Sequence, residues 1–171
     1  MASIIGVETL QHTNGTTAAT IDSNGVLTKS NLPAFNVGLT GDENFTSNNT
    51  WHTISNWVDS ETNAFVQGGM SLSNGVITVP VTGVYHFNLI TRIDGVGGGY
   101  IWIQISKNND DTNNVQFSNL DGSPDGNYKT LVASGIYQMT ANDTVRAKIY
   151  SSSDTSFHCA SQSHFNGFLI G

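Results

Sequence analysis

A reactive side chain needs a partner at the right distance, and few groups in this 171-residue chain qualify. The histidines are His12, His52, His86, His158 and His164, and Cys159 is the single cysteine. His158 and His164 flank that cysteine in the run HCASQSH, a spacing that fits no zinc-site pattern. One cysteine excludes an intrachain disulfide. A cysteine–histidine dyad needs the thiol held in a cleft beside an imidazole. Nothing in the run requires that, so both histidines read as polar rim residues. Glycoside hydrolysis needs paired carboxylates in a shaped cleft, whereas the aspartates here fall in turns. The expectation is a chain with no catalytic residue and no enzymatic activity.

Hard oxygen donors are the remaining candidates for small-ligand chemistry. Asp110 and Asp111 in KNNDDTNN, with Asp121 and Asp125 in NLDGSPDGN, are donors of the kind calcium takes. They do not follow the twelve-residue calcium-loop pattern, and no cofactor other than calcium is expected. The glycine run DGVGGGY, from Asp94 to Tyr100, lacks the Lys-Ser/Thr ending of a phosphate loop. It reads as a hairpin at one end of a β-fold, where loop tips carry recognition. The loops over residues 95–99, 108–114 and 120–127 are therefore the candidate receptor surface, with Gly97, Gly98, Tyr100, Asn109, Asp110, Asp125 and Tyr128 as candidate contacts. Flanking aromatics such as Tyr100, Phe117 and Tyr128 have faces on which sugars can stack.

Strands must position these loops, because no window keeps an apolar stripe at helical spacing free of Gly, Pro or Asn clusters. Asn-Gly pairs at Asn14, Asn24, Asn74 and Asn166, and Asp-Gly pairs at Asp94, Asp121 and Asp125, punctuate short alternating runs. The predicted strands are Ala34 to Leu39, Thr50 to Val58, Phe65 to Ser71, Val76 to Val79, Val84 to Ile93, Tyr100 to Lys107, Val115 to Asn119, Tyr128 to Ser134, Gly135 to Thr140, Thr144 to Ser151 and His164 to Ile170. In Val84 to Ile93, Tyr85, Phe87 and Leu89 share one face, and His86, Asn88 and Arg92 the other. Tyr100 to Lys107 alternates aromatics with isoleucines, as a strand covered on both sides would, which hints at a subunit contact. Residues 1–32 hold two Asn-Gly turns and apolar stretches too short to enclose a core. They read as an arm or adaptor, with a boundary near Pro33 and one main domain over 33–171.

Composition narrows the partners. Formal net charge is −7, with six Lys and Arg scattered along the chain, so no basic stripe awaits a phosphate backbone and nucleic acid is not expected. Asn, Ser and Thr make up about a third of the residues, a polar surface without charge. The opening MASIIGVETLQH has neither a basic n-region nor a long apolar run. Synthesis in a host cytoplasm without export or membrane insertion is the expectation.

Three separated runs carry a resemblance. GVITVPVTGVYHFNL, SGIYQMTANDTVRAKIY and SHFNGFLIG resemble, in order and spacing, the globular C1q domain of the C1q and tumour necrosis factor superfamily. Ile77, Thr78, Val79, Pro80, Gly83, Tyr85 and Phe87 match one motif. Asn142, Asp143, Thr144 and Val145 match a Gly-Asp-x-Val motif with Asn for the Gly, and Phe165, Gly167, Phe168 and Leu169 match the closing one. The resemblance implies a ten-strand jelly-roll sandwich forming a homotrimer, with the C-terminal strand near the threefold axis. Gly83, Tyr85, Phe87, Trp102, Phe165, Gly167 and Phe168 are then fold core. Pro80 is expected to end an edge strand, and Gly83 to permit a turn.

The arm, ETLQHTNGTTAATIDSNGVLT, resembles a segment at the start of fibre-like virion proteins of tailed marine phages. Together the two resemblances imply a non-enzymatic virion surface protein. The leading expectation is a trimeric tail-fibre or receptor-binding protein contacting a host receptor or glycan, with residues 1–32 held by other virion proteins. The alternative is a capsid decoration protein, a cement or head fibre with a structural role.

Overall fold

The computed structural model describes residues 6–29, 31–112, 117–121 and 128–171, with the backbone alone described for 117–121. Strands and no helix form among the described residues. The chain divides into two compact units, Met1–Leu32 and Pro33–Gly171.

In the first unit, β1 (Thr9–Gln11), β2 (Thr17–Ile21) and β3 (Leu27–Thr28) form a three-stranded antiparallel sheet. Its turns use Gly15 at φ 86° and Gly25 at φ 80°, values that glycine adopts without strain. The Asp22 carboxylate accepts from the backbone N–H of Asn24 and of Val26 and so closes the second turn. Most residues of these strands are exposed.

In the second unit, β4 (Ala34–Leu39), β5 (Glu43–Phe45), β7 (Trp57–Val58), β8 (Phe65–Gln67), β11 (Gly83–Asp94), β14 (Lys129–Met139), β16 (Phe157–Cys159) and β17 (His164–Leu169) make one antiparallel sheet. The other holds β6 (Trp51–Thr53), β9 (Ser71–Ser73), β10 (Val76–Thr78), β12 (Tyr100–Lys107), β13 (Phe117–Asp121) and β15 (Thr144–Ser151). Both sheets contribute to one buried apolar cluster. β11 supplies Tyr85, Phe87, Leu89 and Ile93; β12 supplies Ile101, Ile103 and Ile105; β15 supplies Val145, Ala147 and Ile149. Every second residue points inward, the pattern of a sheet with one buried face. The long-range pairs are nested: β12 with β13, β11 with β14, β10 with β15 and β4 with β17, each pair lying in the opposite sheet from the one inside it.

Two turns explain residue choices. Asn74 and Gly75, at φ 48° and 75°, are the two-residue loop joining β9 to β10, since Ser73 pairs with Val76. Asn142, at φ 73°, lies in the left-handed region that favours Gly and, next, Asn. This accounts for Asn where the resembling motif has Gly. The following Asp143 binds the Lys107 ammonium at 2.9 Å, the Asn108 amide at 2.8 Å and the Thr140 N–H at 2.8 Å.

The structure departs from several expectations. The predicted strand Thr50 to Val58 is two strands in different sheets, β6 and β7, with buried Ile54 at the crossing. The Glu43 carboxylate stabilises that bend by accepting from Ser55 N–H, Ser55 Oγ and Asn56 N–H. Phe65 to Ser71 breaks at Gly68 and Gly69, both at positive φ. Tyr128 to Ser134 and Gly135 to Thr140 are one strand, because β14 keeps register with β11 through the Phe87–Gly135 pair. The strand β13 begins at Phe117, and residues 115 and 116 lie outside the described residues. The Asn166-Gly167 pair is no turn: it lies inside β17. The strand that precedes Pro80, β10, is flanked on both sides by β9 and β15, so it is not an edge strand. Gly83 is the first residue of β11 rather than a turn residue, and a Cβ there would lie 3.0 Å from the Gly171 carbonyl oxygen and against the tip of the Leu169 side chain.

Phe168 and Trp102 are not core residues. A strand side chain changes face with every residue, so Phe165 and Phe168, three apart, cannot both point inward. Phe165 is fully buried and Phe168 is 44% exposed. Trp102 lies between buried Ile101 and Ile103 and so stands half-buried on the outward face.

Gly167 sits where Phe35, Phe87 and Phe165 pack, and the Phe35 and Phe165 rings meet edge to face at 4.9 Å. A Cβ on Gly167 would strike the Phe87 ring and lie 2.8 Å from the His86 carbonyl oxygen. Gly167→Ala should therefore destabilise the fold by about 3 kcal/mol, read as a lower denaturant midpoint. Asp143 makes a second prediction. Its bond to Lys107, reinforced by Asn108 and the Thr140 N–H, lowers its pKa from the ordinary 3.8 to about 2. A depressed carboxyl contributes stability above its unfolded value and loses it as pH falls through the folded value. Acid denaturation should thus show a loss between pH values of about 4 and 2 that Asp143→Asn removes.

Candidate functional site

The outward face of the sheet that carries β12 and β15 gathers most of the half-buried aromatics. Tyr150 on β15 pairs with Trp51 on β6 on one side and Trp102 on β12 on the other, one row across three strands. Tyr100 stands two residues from Trp102 on the same face. Ring centroids are 4.5 Å apart for Tyr100–Trp102, 5.2 Å for Trp102–Tyr150 and 5.4 Å for Trp51–Tyr150. The Tyr100, Trp102 and Tyr150 planes lie within 26° of one another, which is offset stacking. The Tyr150 hydroxyl donates to Asn49 Oδ1 at 3.0 Å.

The next row on this face is Thr53, Lys148 and Gln104. Lys148 is only 3% exposed, and its ammonium is bound by the Asp111 carboxylate, which also accepts from the Gln104 amide at 3.2 Å. A buried ammonium requires such a partner. The outward side of the second half of β12 is therefore covered by the chain itself.

That pairing bears on the calcium candidates. Asp111 is committed to Lys148, and Asp110 accepts from the backbone N–H and hydroxyl of Thr112 within its own loop. Asp121 is described only as backbone in β13, and Asp125 lies outside the described residues. Among the described residues, no three His, Cys, Asp or Glu gather to hold a metal ion.

The glycine run does not form a hairpin: it carries the chain from β11 in one sheet to β12 in the other. It is tied to residues 152–154, because Gly97 N–H donates to Asp154, Ser153 Oγ to the Gly98 carbonyl and Tyr100 N–H to Ser152 Oγ. Asn109, at φ 62°, lies in the turn after β12. Tyr128 is exposed beyond the opposite sheet, with the Arg92 guanidinium 3.5 Å over its ring. Tyr128 thus stands on the other sheet from Tyr100, so the receptor-loop candidates among the described residues do not gather into one site.

Cys159 is fully buried, and burial with the nearby Glu43 carboxylate pushes its thiol well above the ordinary range. His52 lies between the Phe45 and Phe157 rings, with Nε2 2.9 Å from the Ser47 carbonyl. His158 is the middle residue of β16, and His164 opens β17.

The central part of the other sheet's outward face instead mixes exposed apolar side chains with uncharged polar ones, Asn88 pairing there with Ser134 and with Asn166. His86 of β11 pairs with Ile136 of β14 and with Phe168 of β17, so Ile136, His86 and Phe168 form one row, with Ile90 and Val132 paired farther along. Ile136 is 60% and Val132 51% exposed. The outward positions 84–90 of β11, 130–138 of β14 and 164–168 of β17 hold no carboxylate, lysine or arginine.

Trp51 and Tyr150 escaped the sequence reading, since they lie 99 positions apart and only the β6–β15 pairing joins them. Comparison with protein-family models and with curated proteins found no match.

Removing the Asp111 charge tests the buried pair. Asp111→Asn leaves Lys148 buried without its counter-charge and should cost about 2 kcal/mol, seen as a lower urea midpoint at unchanged slope.

Proposed function

We propose that the chain is a non-enzymatic, homotrimeric binding protein of a virion surface, its second unit a C1q-like jelly roll. The single observation that carries the oligomer is the uncharged apolar face around Ile136, His86 and Phe168. In a chain of net charge −7, the stretch of β11, β14 and β17 that faces outward as far as Ile90 on β11 is free of Asp, Glu, Lys and Arg, with Arg92 and Asp94 beyond it, and copies of the same chain can share that stretch without repulsion. Exposed large apolar side chains such as Ile136, Val132 and Phe168 on an uncharged face are what protein interfaces cover. The nested strand pairs support the jelly roll, because a long antiparallel hairpin rolled so that successive pairs alternate between two sheets is that topology.

A threefold assembly follows from the resemblance to the C1q domain, and the virion setting from the arm. The short exposed strands of the first unit suit a segment that completes its packing on another protein. Host attachment, as by a tail fibre, is the role assigned to the second unit. Particles labelled with an antibody to the chain should carry the label on the tail; label on the head lattice would instead mean decoration.

Native mass measurement tests the oligomer. The wild type should appear at three times the 18.3 kDa chain mass, and Phe168→Asp should appear as a folded monomer, since Phe168 is outside the core. A wild-type monomer at every concentration, or a Phe168→Asp trimer, would overturn the assembly.

A further inference from the structure

We infer that the aromatic row Trp51, Tyr150 and Trp102, with Tyr100, is a binding site for a neutral saccharide. This names the ligand class for the binding role proposed above and rests on that role, but not on the trimer. A pyranose presents an apolar C–H face and a rim of hydroxyls. The first stacks on an aromatic ring, and the second needs donors and acceptors held in place beside it.

This face has both. The rings support one another at 4.5 to 5.4 Å, so little side-chain freedom remains to be lost on binding. Beside them lie fixed polar groups: Asn49, whose Oδ1 accepts from the Tyr150 hydroxyl, and the partly exposed Asp111 carboxylate, held by buried Lys148 and Gln104. Burial of much of each ring distinguishes this face from the apolar one opposite, since none of the four aromatics is among the exposed large hydrophobics. A second copy of the chain would be expected on the apolar face; a small ligand with a polar rim suits the aromatic one.

Charge selects the saccharide. Stacked aromatics also bind single-stranded nucleic acid, but there a positive groove tracks the backbone. Here the cation in the adjacent row, Lys148, is neutralised by Asp111, and the chain is acidic. A phosphate, sulfate or uronate chain would be repelled. An uncharged hexose or N-acetylhexosamine chain would not.

The three tryptophans provide the test, because Trp57 is buried in the core while Trp51 and Trp102 stand on the face. Indole N–H resonances are followed by NMR as cellohexaose, N-acetylglucosamine hexamer, a heparin-derived hexasaccharide or oligothymidylate is added to the full chain. The expected result is saturable movement of Trp51 and Trp102 with a neutral oligosaccharide while Trp57 stays fixed, with Kd on the order of 0.1 to 1 mM. Trp51→Ala, checked for an intact melting transition, should weaken binding by about tenfold. Should it fail to fold, the wild-type titration decides alone. Silence of both surface tryptophans to the neutral sugars, tighter binding of heparin or oligothymidylate, equal movement of Trp57, or undiminished binding by folded Trp51→Ala would each overturn the site. Phe168→Asp separates the two readings: saccharide binding by that variant as a monomer sustains this site, and its loss there would tie the site to the assembly and overturn it as argued.

Discussion

The register of β11 against its two neighbours governs the second unit. Over eleven residues β14 pairs with it on one side, and over six β17 pairs with it on the other. Since side chains alternate, a slip of one residue would exchange the two faces. Tyr85, Phe87 and Leu89 would go to solvent, and His86, Asn88 and Ile90 would be driven inward. Gly167 helps lock that register. It pairs with Phe87, and only the absence of a side chain lets β17 cross above the Phe35 and Phe87 rings.

The two sheets bury a common cluster and present opposite kinds of outward face. On the sheet of β11, the outward residues from Val84 to Ile90 and their partners on β14 and β17 carry no carboxylate, lysine or arginine and leave Val132, Ile136 and Phe168 open, so that part of the face is incomplete in a single chain. On the sheet of β12, the outward residues complete one another. Lys148 is buried by Asp111, and Trp51, Tyr150 and Trp102 stack. A surface that satisfies its own charges and supports its own rings is suited to small ligands, whereas one that leaves aliphatic groups in water is suited to a protein. The division of labour between assembly and recognition follows from this contrast.

Much of the strand framework was legible because period-two alternation reports burial directly. Ala34–Leu39, Tyr100–Lys107 and Thr144–Ser151 form as predicted, and Asn74-Gly75 makes its hairpin. The misreadings have particular causes. Phe168 was assigned to the core with Phe165 although their odd spacing puts them on opposite faces. The strand expected over Thr50 to Val58 is interrupted where the Glu43 carboxylate, from a distant segment, captures the N–H groups of Ser55 and Asn56. Asn166-Gly167 has a turn's composition but lies in a strand, where the aromatic layer beneath it demands a missing Cβ.

Local patterning alone therefore determined an all-β chain, the inward set Tyr85, Phe87, Leu89 and Phe165, and the scarcity of reactive or cationic groups. Those properties are written in neighbouring residues, because alternation and turn chemistry act over a few positions. Tertiary structure decided where Trp51 meets Tyr150, that Asp111 neutralises Lys148, and that the glycine run crosses between sheets. Each depends on strand partners far apart in the chain, and long-range pairing leaves no mark in the short-range pattern.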